Sequence, residues 1–431
     1  MTRNTEGVLV AVASALAAFG VALVEFAGGE TLGAQVGLTF LVFIIAFGGI
    51  HVALRTWAPE ATPLLLPPVA LLAAIGFLEV YRLSPYRAGL QRWWLLLAAS
   101  VCVLLLAAFA KSGLSILRRY RNLMLLVAVG LLLLPNLPMS GPLPIRGLIQ
   151  NGSRLWIVLD VGFTELHFQP AEIAKVLFVA FLAGYLADRQ AALTGAHRRL
   201  GPIKVPEPRQ LVPLVAVWAG SLLILVYQRD LGASLLLFLS FAALLYAATG
   251  AAGYLLGGGI LAIGGGVAAW SMFDHVQRRV SAWLDPFADF ADSGYQVAQG
   301  LFALGTGSLS GSGPGLGRPD LIPNAETDFI FAAVGEELGL AGSIAVLCCF
   351  ALFIAAGFGI ALRSRDRFRT LLAAGLTFVV GLQTFLIIGG VLRVLPLTGI
   401  TLPFMSYGGS ALVGNFIVLA LLLRASQEER A

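Results

Sequence analysis

Apolar runs of about 20 residues recur from one end of this chain to the other, and that recurrence closes off most folds. Each run can cross roughly 30 Å of hydrocarbon. Backbone groups in lipid must be satisfied within the segment itself, so runs of this length must be helices. The short alternating segments of an outer-membrane barrel are not seen. Only 12% of the 431 residues are charged, against about 25% in a soluble domain. The fold class expected is therefore an all-α polytopic membrane protein.

Twelve spans are expected, near 8–27, 36–54, 63–81, 93–111, 122–138, 170–187, 211–228, 231–249, 254–272, 329–361, 370–392 and 402–424. The tenth is too long for one simple crossing. It is expected to begin as an interfacial or re-entrant helix, jointed at Gly339–Gly342. The apolar run after "MTRNTEG" reads as a retained first helix rather than a signal peptide.

Loop lysines and arginines set the orientation. With the N-terminus inside, 17 of them fall on the inner side and 10 on the outer, with Lys175 inside a span. Both termini are then cytoplasmic and the bilayer is the cytoplasmic membrane. The net charge of +5 is no nucleic-acid signal, because the basic residues cluster in short loops between spans. Cys102, Cys348 and Cys349 lie in apolar runs and suggest neither zinc nor a disulfide framework.

Two long loops face outward, about 139–169 and about 273–328, the second ahead of the third-last span. The first holds a turn at Asn151-Gly152, then Arg154 and Trp156, and runs into "FQPAEIAK", which places Glu172 and Lys175 i, i+3 on one helix face. Such a lysine needs a carboxylate or a bound anion, and a plain Glu172–Lys175 pair is the simpler reading. Trp156 alone would pass for an interfacial belt residue. Between spans, Arg229 precedes Asp230, itself a ready helix N-cap. The second loop supplies Arg278 and Arg279 together with Asp285, Asp289, Asp292, Asp320, Glu326 and Asp328. Its "GTGSLSGSGPGLG" lacks the Gly-Lys-Ser/Thr ending of a P-loop; a close bend along a long substrate, or a lid, is expected instead. Further on, Arg393, Pro396, Pro403 and Gly408-Gly409 suggest a broken helix open to a cavity. The polar residues thus gather on the outer half, a pattern that suits an anionic lipid head and proton transfer.

The stretches "NGSRLWI", "FQPAEIAK", "RDLGASLL", "WLDPFADFADSGYQVAQ", "ETDFIFAAVGEELGLAG" and "PLTGITLPFMSYGGSALVGN" resemble, in order and spacing, the SEDS family of membrane peptidoglycan polymerases, and within it the actinobacterial RodA-type members. The resemblance runs from about residue 150 to the end. It implies a core of about ten spans plus two at the N-terminus, divided here as helices in 1–111 and a catalytic core in 112–431. It departs from the family pattern just before the key aspartate. Many members carry His two before and Glu four before it, where this chain has Glu326 and Asn324.

The resemblance implies an inverting glycosyltransferase that polymerises lipid II at the outer face, using an undecaprenyl-pyrophosphate-linked glycan as donor. Asp328 is the implied general base. Arg154, Lys175, Arg229, Arg279 and Arg393 are candidates for the pyrophosphates, and Trp156 and Tyr407 for the sugar or lipid path. Asp320 and Glu337 are second-rank partners, or ligands should a divalent Mg or Mn ion assist; no organic cofactor is implied and spacing alone defines no metal site. Glu336 is expected on the face of Asp328 by the i, i+4, i+8 pattern, with at least one of Glu336 and Glu337 paired to a buried cation. A class B penicillin-binding protein is the implied partner. A lipid II flippase, a non-catalytic scaffold, and a division rather than elongation role are the alternatives.

Overall fold

The computed structural model describes residues 1–29, 31, 33–138, 145–150, 153–160, 165–195, 197–200, 203–206 and 208–430. The expected Asn151-Gly152 turn lies outside the described residues.

Helices dominate. From the N-terminus they are α1 (Arg3–Ala27), α2 (Ala34–Trp57), α3 (Leu66–Leu83), α4 (Pro85–Ser112), α5 (Ser115–Arg119) and α6 (Arg121–Leu133). Strands β1 (Ile145–Gln150), β2 (Ser153–Asp160) and β3 (Glu165–Phe168) follow, then α7 (Ala171–Gly195). After β4 (His197–Leu200) and β5 (Ile203–Pro206) come α8 (Pro208–Tyr227), α9 (Leu231–Thr249), α10 (Gly253–Met272) and α11 (Asp274–Leu284). The last are α12 (Tyr295–Gly307), α13 (Ile330–Glu337), α14 (Gly339–Arg363), α15 (Arg367–Val391) and α16 (Gly409–Arg430). Each of the twelve expected spans overlaps a helix, and the tenth overlaps two, α13 and α14. Among the described residues, nine helices are long and apolar enough to cross a membrane. The protein is an all-α polytopic membrane protein in its spans.

Local sequence explains where helices start and stop. Asp230 caps α9 by accepting the Ala233 N–H at 2.9 Å, and Gly250, at φ +70°, ends it. Prolines 67 and 68 sit in the first turn of α3, where a missing N–H costs nothing. α10 is apolar on every side and has no buried residue, as befits a helix facing lipid.

Two small antiparallel sheets, β1-β2-β3 and β4-β5, occupy loops in which no strand is predicted. Strands this short carry too little periodicity to stand out beside apolar helical runs.

The chain forms two compact units, each discontinuous in sequence. One comprises Met1–Lys111, Ala268–Gly357 and Val380–Ala431. Its core joins Phe43 of α2 to Phe77 of α3, and Phe404 to Phe353 of α14 and Phe416 of α16. At one rim, Arg3 donates to the carbonyl of Ala61, and Arg424 to those of Trp57 and Ala110. These are loops and ends the charge pattern places on the inner side. The other unit comprises Ser112–Val267 and Phe358–Val379. It packs α7 on α6 and α9, and stacks Trp218 on Phe241.

Two expectations are corrected. The segment 392–408 is not a broken helix: it is an irregular connection, and the last helix begins at Gly409, past Pro396 and Pro403. The tenth span is jointed as expected, at Leu338–Gly339, but α13 begins at Ile330, so Asp328 shares no helical face with Glu336. Nor is Asp328 an N-cap, since Phe329 holds that position with no side-chain cap.

Candidate functional site

The glycine-rich loop wraps the α13–α14 joint. Ser312 N–H donates to the Glu336 carbonyl at 2.9 Å and Gly313 N–H to that of Glu337 at 3.0 Å. These carbonyls end α13 and would otherwise lack partners. The two carboxylates turn back into the same loop. Glu336 accepts the Arg318 N–H at 2.7 Å and Glu337 the Gly315 N–H at 2.9 Å. Gly311, at φ +81°, lies so close that a Cβ would overlap the Glu337 carbonyl oxygen. The loop is therefore a packed structural element.

Glu337 is fully buried and its carboxylate lies 3.2 Å from Arg82 Nε. The expected pairing with a buried-side cation is thus met by Arg82 of α3. Asp320 also reaches Arg82, at 3.9 Å, and Arg318 at 3.4 Å. The positive charge these two carboxylates share is a guanidinium. Among the described residues no three His, Cys, Asp or Glu side chains gather as a metal site. Asp320 and Glu337 are both engaged by Arg82.

Asp328 lies two residues ahead of α13, in a turn built by its neighbours. Asn324 takes φ +54°, a left-handed conformation that asparagine tolerates, and its carbonyl accepts the Thr327 N–H at 3.0 Å. Phe329 is buried against Gly300 of α12, which fixes the turn from behind. The segment 392–408 fixes it from the side. Ser406 Oγ donates to the Thr327 carbonyl at 2.6 Å and Tyr407 N–H to the Glu326 carbonyl at 2.8 Å. Asp328 retains partial exposure. Burial pushes its carboxyl above the usual aspartate value, while Thr327 and the Arg279 charge pull it down.

Arg279 and Arg393 hold this surround by backbone contacts. Arg279 of α11 donates to the carbonyl of Thr398 at 3.0 Å. Arg393, at φ +58°, donates to the carbonyls of Trp283, at 2.6 Å, and Leu284, while Trp283 Nε1 returns a bond to the Arg393 carbonyl at 3.1 Å. Their hydrogen bonds go to neutral acceptors. Among the described residues neither guanidinium is in an ion pair; Arg279 lies near Asp328 and Arg393 at the α11 end.

Two residues here, Arg82 and Arg87, were not singled out from sequence. Arg87 pairs with Glu326 and lies over the Tyr407 ring, 5.6 Å from its centroid. The available signal was the run of outer arginines 82, 87 and 92 in "YRLSPYRAGLQR". The two departures from the family pattern thus have local work: Asn324 makes the turn and Glu326 anchors Arg87.

The remaining candidates lie in the other unit. Arg154 and Trp156 are two apart on β2, hence on one face, and both are half-buried; Trp156 pairs with Leu148 across β1. Lys175 Nζ meets Glu172 at 2.6 Å, the simpler reading of that motif. Arg229 is exposed at the α8–α9 bend, with φ +63°.

Fold and site define a class: an integral membrane protein whose elevated carboxyl sits at a loop–helix junction among arginines. The chain belongs to the FtsW/RodA/SpoVE family of cell cycle proteins, whose model matches residues 63–431. It is similar to the peptidoglycan glycosyltransferase RodA of Mycobacterium tuberculosis, 42% identical over 400 residues, 90% of this chain and 83% of that one. The Mycobacterium leprae protein of the same name is 37% identical over 439 residues, 99% of this chain and 91% of that one. Among solved structures, a chain of a peptidoglycan synthase complex that coordinates polymerization and crosslinking matches with TM-score 0.63 and 25% identity, covering 84% of this chain and 96% of that one. The rod shape determining protein RodA of Thermus thermophilus shares the fold, with TM-score 0.53 and 23% identity over the same shares.

Proposed function

We propose that this protein is a peptidoglycan glycosyltransferase that polymerises lipid II at the outer face of the cytoplasmic membrane, for cell elongation. The observation that carries the reading is Asp328: a carboxyl of raised pKa at a loop–helix junction beside Arg279, in a chain 42% identical to RodA proteins. The 4-hydroxyl of an incoming lipid II attacks the anomeric carbon at the end of the lipid-linked glycan. A new C–O bond forms as the anomeric C–O bond to pyrophosphate breaks, with inversion. Asp328 accepts the hydroxyl proton, and undecaprenyl pyrophosphate departs with the electron pair. A raised carboxyl pKa makes Asp328 a better proton acceptor than an ordinary aspartate once it is ionised.

Arginine charge serves the leaving group. Arg279 and Arg393 are suited to it, since among the described residues they form no ion pair and donate to backbone carbonyls; Arg154, Lys175 and Arg229 are candidates from the other unit. Tyr407 and Trp156 are assigned to the sugar or lipid path. Asp320 and Glu337 are assigned to structure, through Arg82. The two helices ahead of residue 63 are an addition to the catalytic core. Both termini are cytoplasmic in this reading, and a class B penicillin-binding protein supplies crosslinking, as the coordinated synthase complex suggests by analogy.

The test is polymerisation of purified lipid II by the reconstituted protein, with and without a class B partner. Long glycan from wild type and none from a folded Asp328→Asn variant is expected. Equal product from both would remove Asp328 from catalysis. No product from any partnered sample would favour transport or scaffolding.

A further inference from the structure

A second polar site lies in the unit that does not contain Asp328. A cavity of about 430 Å³ is lined by Ser115, Arg118, Arg119, Arg121, Asn122 and Asp188. Three guanidiniums face it against one carboxylate, leaving an excess of positive charge. Asp188 is already committed. It lies 2.5 Å from Arg118 and is also paired with Arg121, so it fixes both side chains in place. Arg119 lies over the Tyr120 ring, 5.7 Å from its centroid, and makes no ion pair among the described residues. The N-terminus of α6 opens here as well, with Arg121 and Asn122 in its first turn and no side-chain cap at Tyr120. Unpartnered helix amides and fixed guanidiniums together favour a negative group.

The surroundings locate the cavity. Arg118 also approaches Asp366, at 4.0 Å, between α14 and α15. Arg367 donates to the carbonyl of Ala248, between α9 and α10. Every one of these connections falls on the side that the loop charges mark as inner. A basic cavity at the inner ends of membrane helices meets anionic lipid.

We infer that this cavity binds the phosphate headgroup of an anionic phospholipid of the inner leaflet. The inference rests on the proposed orientation and not on the proposed reaction. Phosphate is the shared chemistry of such a lipid and of the free ion; the position at helix ends bordered by lipid favours the lipid. Each arginine near the surface contributes about 1 kcal/mol toward such a lipid, about fivefold in affinity.

The test is lipid retention by the full-length purified protein, read by native mass spectrometry with phosphatidylglycerol or phosphatidylcholine added, and in parallel with excess inorganic phosphate. Wild type is expected to retain phosphatidylglycerol at least about fivefold over phosphatidylcholine. Arg119→Gln, which disturbs no ion pair among the described residues, should lower that preference about fivefold. Arg119→Gln with Arg121→Gln should abolish it. Equal retention of the two lipids, an unchanged preference in Arg119→Gln, or binding of inorganic phosphate without lipid preference would each overturn the assignment. Asp328→Asn should retain lipid as wild type does, so loss of this site and loss of the polymerase reading are separable.

Discussion

The wholly buried Glu337 carboxylate lies 3.2 Å from Arg82 Nε, which ties the end of α13 to α3 across 255 positions of sequence. Removing one partner of a buried ion pair costs about 3 kcal/mol or more, because the other charge is left uncompensated. Glu337→Ala is therefore expected to lower thermal stability in detergent clearly, with polymerisation falling in step with the folded fraction. A Glu337→Ala protein that keeps its stability and still loses polymerisation would place Glu337 in the chemistry.

The pH profile of the reaction should carry the signature of Asp328. A base must be ionised, so the rate rises with pH through a value above that of an ordinary aspartate. Arg279 lowers that value. Arg279→Gln should therefore move the acid limb of kcat/KM to higher pH, and a limb that moves down or stays would contradict the assignment. Stability runs the other way. A raised carboxyl contributes stability that is complete below the unfolded value and is lost as pH rises through the folded one. Asp328→Asn should remove that loss, which unfolding measured across the same pH range would show.

Gly311 admits no side chain. Its φ of +81° and the Glu337 carbonyl against its Cα both exclude a Cβ. Gly311→Ala is expected to cost about 2 kcal/mol or more, read as a fall in unfolding temperature. An unchanged temperature would mean that the glycine-rich loop is not fixed to the joint.

Arg393 should not be replaceable by lysine. One planar guanidinium spans two carbonyls, those of Trp283 and Leu284, and an ammonium cannot reproduce that fork. Arg393→Lys is expected to lower the rate at saturating lipid II more than it lowers binding, since it loosens the wall around Asp328. A pure binding defect would point to direct contact with substrate instead.

Much of this was legible in the sequence because lipid imposes blunt rules. Length and apolarity locate every helix that could span, and the joint in the tenth shows as Gly339, the one residue type suited to φ +67° there. Asp328 stood out through its position and its block of neighbours. What stayed hidden depends on contacts distant in sequence. Nothing near Glu337 announces Arg82, and nothing near Glu326 announces Arg87. The glycine run suggested a close bend or a lid, and what it bends against, the backbone of Glu337, lies outside the run. The loop sheets were missed because four to eight residues hold too little pattern to declare a strand.

The segment from 392 to 408 is held largely by its main chain. Arg279, Gln383 and Trp283 reach its carbonyls at Thr398, Thr401 and Arg393, and its Tyr407 N–H reaches the turn beside Asp328. Support of that kind is blind to which side chain the supported residue carries. Between Val394 and Thr398, where side chains stay accessible or half-buried, the shape of the wall can therefore persist while its surface drifts. Relatives could differ there in the glycan or lipid they favour without rebuilding the scaffold that places the aspartate. The holding residues, and the buried Leu402, Phe404 and Met405, have no such latitude.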